Sequence, residues 1–129
     1  CGRIILMDDE KLIRDMASRM LRRSGYDVVA AHDGDEAVRL CREAIEAGAP
    51  FDAAILDVTV PGSMGGKEAL RHLRDVQPGL AVVLSSGYGE VSAAVGECQP
   101  TALLPKPYQM HELLACARAV VQRVSLPPV

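Results

Sequence analysis

The chain has 129 residues, the size of one domain that buries most of its apolar surface without a disulfide or metal staple. Hydrophobic residues make up 49% and charged residues 24%, and with no Trp, three Tyr and one Phe the core must be aliphatic. Lys+Arg 14 against Asp+Glu 17 gives a net charge of -3. That excludes a basic field for nucleic acid, and no apolar run reaches the ~20 residues of a membrane span or resembles a signal peptide.

Arg3–Met7 is a short apolar run ending at Asp8-Asp9-Glu10, the length of a buried strand. From Glu10 onward Leu12, Ile13, Met16, Met20 and Leu21 recur at helical spacing, both methionines expected in the core, until Ser24-Gly25 stops the helix. Arg22-Arg23 suits the dipole at that end. Tyr26–Ala31 reads as a second strand, and His32-Asp33-Gly34-Asp35 as a turn able to cap a helix over Glu36–Ala47. Ala37, Leu40, Cys41, Ala44 and Ile45 share one face of that helix. Phe51–Leu56 is a third strand, followed by Asp57 and a loop over Val58–Gly66. Lys67–Val76 is helical, with Ala69, Leu70, Leu73 and Val76 inward. Leu80–Leu84 is a fourth strand followed by Ser85-Ser86-Gly87, and Tyr88–Cys98 a weak helix diluted by Gly89 and Gly96. Ala102–Leu104 is a short fifth strand before Pro105-Lys106-Pro107, and Gln109–Val124 a final amphipathic helix. Residues 1–125 are expected to form the domain and 126–129 a tail.

Five apolar strands alternating with five helices predict an open, doubly wound parallel sheet covered on both faces. In such a sheet the site lies at the carboxyl ends of the strands, where strand order reverses. Asp8, Asp9 and Glu10 follow the first strand, Asp57 the third, Ser85 and Ser86 the fourth, and Lys106 the fifth. If strands one and three are neighbours, Asp8, Asp9 and Asp57 converge, and three carboxylates in one cleft call for a cation. Oxygen-only ligation with room for waters favours Mg²⁺. Lys106, one of only three lysines, is held between two prolines that can support a cis bond, and a rigid ammonium facing such a cleft fits a phosphoryl group. Ser86 offers a hydroxyl to the same group. This is a phosphoryl-transfer constellation with a carboxylate as candidate nucleophile, and neither a P-loop nor a Gly-x-Gly-x-x-Gly accompanies it.

These motifs, in this order, resemble the receiver domains of two-component response regulators, from Arg3 to about Val124. The family pattern is an acidic pair after strand one, an acceptor Asp after strand three, a Ser or Thr after strand four, and Lys-Pro after strand five. It falls on Asp8-Asp9, Asp57, Ser86 and Lys106-Pro107, with Ser85 as the fallback hydroxyl. The resemblance implies a flavodoxin-like strand order of 2-1-3-4-5. It implies transfer of a phosphoryl group from phosphohistidine of a histidine kinase transmitter or phosphotransfer domain to Asp57. It also implies Mg²⁺ held by Asp8, Asp9, Asp57 and the backbone carbonyl of Thr59, with Lys106 and Ser86 on the phosphoryl oxygens. An isolated receiver is not an enzyme beyond promoting its own aspartyl phosphorylation and dephosphorylation.

Two departures stand out. The Gly-rich segment Asp57–Gly66 is one residue longer than the common pattern and resembles receivers attached to hybrid sensor kinases; the lack of an initial Met and of any helix-turn-helix supports that parentage. Leu103 stands where the family usually has an aromatic, so phosphorylation is expected to order Ser86–Gly89 and the helix Glu90–Glu97 rather than flip a ring. Alternatives are a Mg²⁺-dependent aspartyl-phosphate phosphatase, which lacks its Asp-x-Asp loop here, and a phosphorylation-independent interaction module. Cys1, Cys41, Cys98 and Cys116 have no metal spacing and read as reduced thiols of a cytosolic protein. His32, His72 and His111 read as solvated surface residues.

Overall fold

The computed structural model describes residues 2–58, 60, 62–86 and 101–125 (backbone only for 86 and 123–125). Five strands, β1 (Arg3–Met7), β2 (Asp27–Ala31), β3 (Ala53–Asp57), β4 (Ala81–Ser86) and β5 (Ala102–Pro105), form one sheet in the order β2-β1-β3-β4-β5. All four pairings are parallel. The described helices are α1 (Lys11–Arg23), α2 (Gly34–Glu46), α3 (Gly66–Val76) and α4 (Met110–Ser125). The weak helix expected over Tyr88–Cys98, and with it the Glu90–Glu97 segment, lies outside the described residues. The doubly wound sheet and its strand order are as the sequence and its resemblance implied.

Alternate residues of each strand feed two cores. Ile5, Met7, Ala54, Leu56, Val82 and Leu84 pack under α2 and α3, with Ala37, Cys41, Leu70 and Leu73. Ile4, Leu6, Ile55, Val83 and Leu104 pack under α1 and α4, with Ala17, Leu21, Leu113 and Ala117. Both faces being covered is why the strands read as continuous apolar runs. Strand order reverses between β1 and β3, so the cleft opens above their carboxyl ends.

The helix ends carry their own signals. Asp33 accepts a hydrogen bond from the Glu36 amide at 2.9 Å and caps α2, so that helix starts two residues earlier than its periodicity indicated. Glu112 accepts from the Gln109 amide at 2.8 Å and does the same at α4.

Two expectations are corrected. The inward face of α1 is Ala17, Ser18 and Leu21; Met16 is 59% exposed, Leu12 83%, and Met20 only partly buried. The small side chains at 17 and 18 face the sheet beside Leu21, and the helix is turned accordingly, leaving Leu12 and Met16 at its side. Ser85 and Ser86 do not follow β4 but belong to it, because the ladder continues through the pairs Asp57↔Ser85 and Ser86↔Pro105. Pro105 ends the edge strand, where its missing N–H costs no ladder bond. Cys41 is buried and Cys116 half-buried, both free, and His32, His72 and His111 are exposed as read.

Candidate functional site

The ends of β1, β3 and β5 place the charged residues of the cleft. The Asp8 amide still bonds Ala31 O at 3.1 Å, so the ladder holds this residue as firmly as a strand. Its carboxylate is almost fully buried: Oδ1 accepts from the Glu10 amide at 2.9 Å, and Oδ2 from Lys106 Nζ at 2.8 Å. Asp57, 6% exposed, is the last residue of β3, and its Oδ2 lies 3.4 Å from the same ammonium. Asp9 is exposed at the mouth. Lys106 begins the turn after β5, and its bond to Pro107 is cis.

Burial pushes the Asp57 carboxyl up to about 7, against the pull of Lys106; the neighbouring Asp9 carboxyl and the charge of Asp8 add to the rise. Lys106 shows the opposite balance. Burial disfavours its charge, but the hydrogen bond to Asp8 and the charges of Asp8 and Asp57 prevail and hold it firmly cationic. The Tyr108 phenol is raised by burial and then by Asp8, which places it at the edge of the same field.

Asp8, Asp9 and Asp57 each offer an oxygen, all within 4.8 Å of one another. Among the described residues no other His, Cys, Asp and Glu side chains group in this way. Hard oxygen donors at that spacing, with one carboxylate open to solvent, fit a divalent cation that keeps part of its water shell. Thr59, expected to add its carbonyl, lies outside the described residues. Ser86 ends β4 next to the cleft, and its side chain is not described.

Sequence reasoning missed four participants. Arg14 donates from Nη1 to the Asp8 carbonyl at 2.7 Å and ties α1 to the loop that carries the acids. Tyr108 was visible only as the second residue after Lys106. Gly65 and Gly66 bring the start of α3 against Val58 O and Asp57 O, fixing the end of β3 from outside. Beside the acids, Ile13, Met16, Ala17, Pro107, Tyr108, Met110 and Leu113, with the Lys106 stem, line an apolar groove of about 410 Å³ between α1 and α4.

A doubly wound sheet with two acids after its first strand, one at the end of its third and a lysine after its fifth is the arrangement of phospho-acceptor domains. The response regulator receiver domain family matches residues 4–118. The response regulator MprA of Mycobacterium ulcerans (strain Agy99) is 37% identical over 126 residues, covering 96% of this chain and 52% of its own. A two-component response regulator of the LuxR family from Aurantimonas sp. SI85-9A1 superposes with a TM-score of 0.79 at 31% identity, over 95% of this chain and 86% of its own. A CheY-like receiver domain protein from Methanospirillum hungatei JF-1 does so at 0.82 and 25% identity, over 95% of both chains. The chain belongs to the response regulator receiver domain family of two-component signal transduction. It spans about half the length of the curated relatives it matches. Phosphorylation on an aspartate is general for this family, as are an acidic pocket that binds Mg²⁺ and interaction with histidine kinases or phosphotransfer proteins.

Proposed function

We propose that Asp57 is the phospho-acceptor of a two-component relay, taking its phosphoryl group from a phosphohistidine in a Mg²⁺-dependent reaction. The observation that carries this reading is a buried carboxylate at the end of β3, 3.4 Å from the Lys106 ammonium and grouped with Asp8 and Asp9. The Asp57 oxygen forms a bond to phosphorus as the phosphorus–nitrogen bond to the donor imidazole breaks. The imidazole keeps the electron pair and takes up a proton. Asp8, Asp9, Asp57 and the Thr59 carbonyl would hold Mg²⁺, which when bound neutralises charge on the phosphoryl oxygens. Lys106, kept cationic by Asp8, faces the same oxygens, and Ser86 donates its hydroxyl to them.

The donor is a histidine kinase transmitter or a histidine phosphotransfer domain. Its histidine must come within bonding reach of Asp57, so its surface must cover the cleft rim, where the α1–α4 groove offers apolar contact. We assign the receiver unit to residues 1–125, and its setting to the cytoplasm, in a hybrid sensor kinase on the strength of the Gly-rich Asp57–Gly66 segment. No described helix is long and apolar enough to cross a membrane.

Incubation with acetyl phosphate and Mg²⁺ is expected to label the protein once, as a base-labile and hydroxylamine-sensitive acyl phosphate, and Asp57→Asn to abolish the label. Equal labelling of Asp57→Asn refutes the acceptor. Steady turnover of small phosphoesters would favour the phosphatase alternative. Asp9→Ala tests the metal site separately. Because Asp9 is exposed, the variant is expected to fold normally, yet to lose at least tenfold in labelling rate and in Mg²⁺ affinity. Labelling that survives EDTA would remove the metal from the reaction.

A further inference from the structure

We infer that Ser85, the residue before the expected Ser86, donates its hydroxyl hydrogen to the phosphorylated Asp57 side chain. The inference rests on the reading of Asp57 as acceptor and adds a second hydroxyl to that site.

Ser85 is 3% exposed, and its Oγ has no hydrogen-bond partner. A buried hydroxyl without a partner is costly and uncommon, and at a functional site it marks a place prepared for an acceptor. Among the described residues two other buried side-chain atoms share that condition, Ser18 Oγ in α1 and Gln77 Oε1, and neither lies on a strand of the site.

The position of Ser85 is fixed by the ladder. It is the partner of Asp57 across the β3–β4 pairing, and its carbonyl accepts from the Val58 amide at 2.8 Å. Each strand alternates, and Ser85 and Asp57 come two residues after Val83 and Ile55, which both belong to the core under α1 and α4. The two side chains are therefore neighbours on one face of the sheet, on strands ~4.8 Å apart. On the other side of Ser85 its partner is Leu104, which offers no side-chain acceptor. Lys106 starts beyond β5 and ends on Asp57 of β3 and on Asp8, just after β1, so its stem must cross β4 at this level. Ser85 thus lies under the lysine and beside the acceptor.

In the unphosphorylated protein the Asp57 carboxylate lies 3.4 Å from the Lys106 ammonium. A phosphoryl group brings further acceptor oxygens and negative charge to the same side chain. The Ser85 hydroxyl then gains its acceptor, so the bond stabilises the phosphorylated state over the free one.

The test uses beryllofluoride as the phosphoryl mimic, titrated in the presence of Mg²⁺ and followed by fluorine NMR. Ser85→Thr and Ser85→Val have the same shape and differ in the hydroxyl. Ser85→Thr is expected to bind within about twofold of the wild type, and Ser85→Val at least about tenfold more weakly, the lower bound for the loss of one hydrogen bond to a charged group. Ser85→Ala should match Ser85→Val, and replaces it if the larger side chain prevents folding. Valine binding as tightly as threonine overturns the inference, as does equal weakening of both, which would make the effect one of packing. If the wild type itself binds no beryllofluoride, the acceptor reading fails first and the role of Ser85 with it.

Discussion

Replacing Gly65 with alanine is expected to destabilise the protein by about 3 kcal/mol, the scale of a forced overpacking that no rotamer change relieves. A Cβ there would sit 2.2 Å from Val58 O, a backbone atom. That carbonyl is not free to move: it accepts from the Gly66 amide at 3.1 Å, while Gly65 O accepts from the Ala69 amide at 3.0 Å in the first turn of α3. Gly66 repeats the constraint one residue on, with its Cβ position 2.6 Å from Asp57 O. The start of α3 therefore presses backbone on backbone against the end of β3. Any displacement that accommodates a methyl moves Val58, and with it the carboxylate that heads the site. Gly65→Ala should lower the urea midpoint and slow acetyl phosphate labelling together. Gly62→Ala is the contrast: Gly62 has φ +74 with open space around its Cβ position, so the cost is only that of a left-handed residue, about 1 kcal/mol. Equal urea midpoints for Gly65→Ala and the wild type would refute the close approach.

That contact shows where sequence reading ended. Gly65 and Gly66 were legible as loop glycines, but sequence does not say which carbonyl a glycine must clear. The strands were legible because burial on both faces makes them continuous apolar runs, and Asp8, Asp57 and Lys106 because each lies at the C-terminal end of such a run. The pairing that sets their distances was not; it became available only through the resemblance that implied the strand order. The face of α1 was misread for a physical reason. Leu12 and Met16 fit the helical period as well as Ala17 and Ser18 do, and hydrophobicity alone favours the larger residues, whereas close packing on the sheet selected the smaller. The end of β4 was misread because two serines followed by glycine look like a turn. Parallel pairing with β3 and β5 supplies the hydrogen bonds that hold them extended, and that extension sets Ser85 opposite Asp57.

In metal-free buffer at pH 8, Asp57→Asn is expected to be more stable than the wild type by on the order of 2–4 kcal/mol. The folded protein raises the Asp57 carboxyl to about 7, chiefly by burial, with Lys106 opposing and Asp9 and Asp8 adding to the rise. In the unfolded chain the same group titrates near ~3.9. Between those values the folded state keeps a proton that the unfolded state has released. Stability of the wild type therefore falls as pH rises through this window, by at most about 1.4 kcal/mol per unit, and levels off above the folded value. Below the unfolded value both states are protonated and the difference vanishes. Asparagine carries no such charge at any pH, so the gap between variant and wild type should be small at pH 4.5, widen up to about pH 7 and level off by pH 8. Lys106 keeps its 2.8 Å partner Asp8 in the variant, so the ammonium is not left alone. Millimolar Mg²⁺ should close the gap from the wild-type side, because an ion that binds only the folded state stabilises it by mass action and the complete carboxylate set binds it better. Urea melts of both proteins at pH 4.5, 6, 7 and 8, with EDTA and with Mg²⁺, provide the measurement. A gap independent of pH in EDTA would mean that the Asp57 charge is not what the fold strains against.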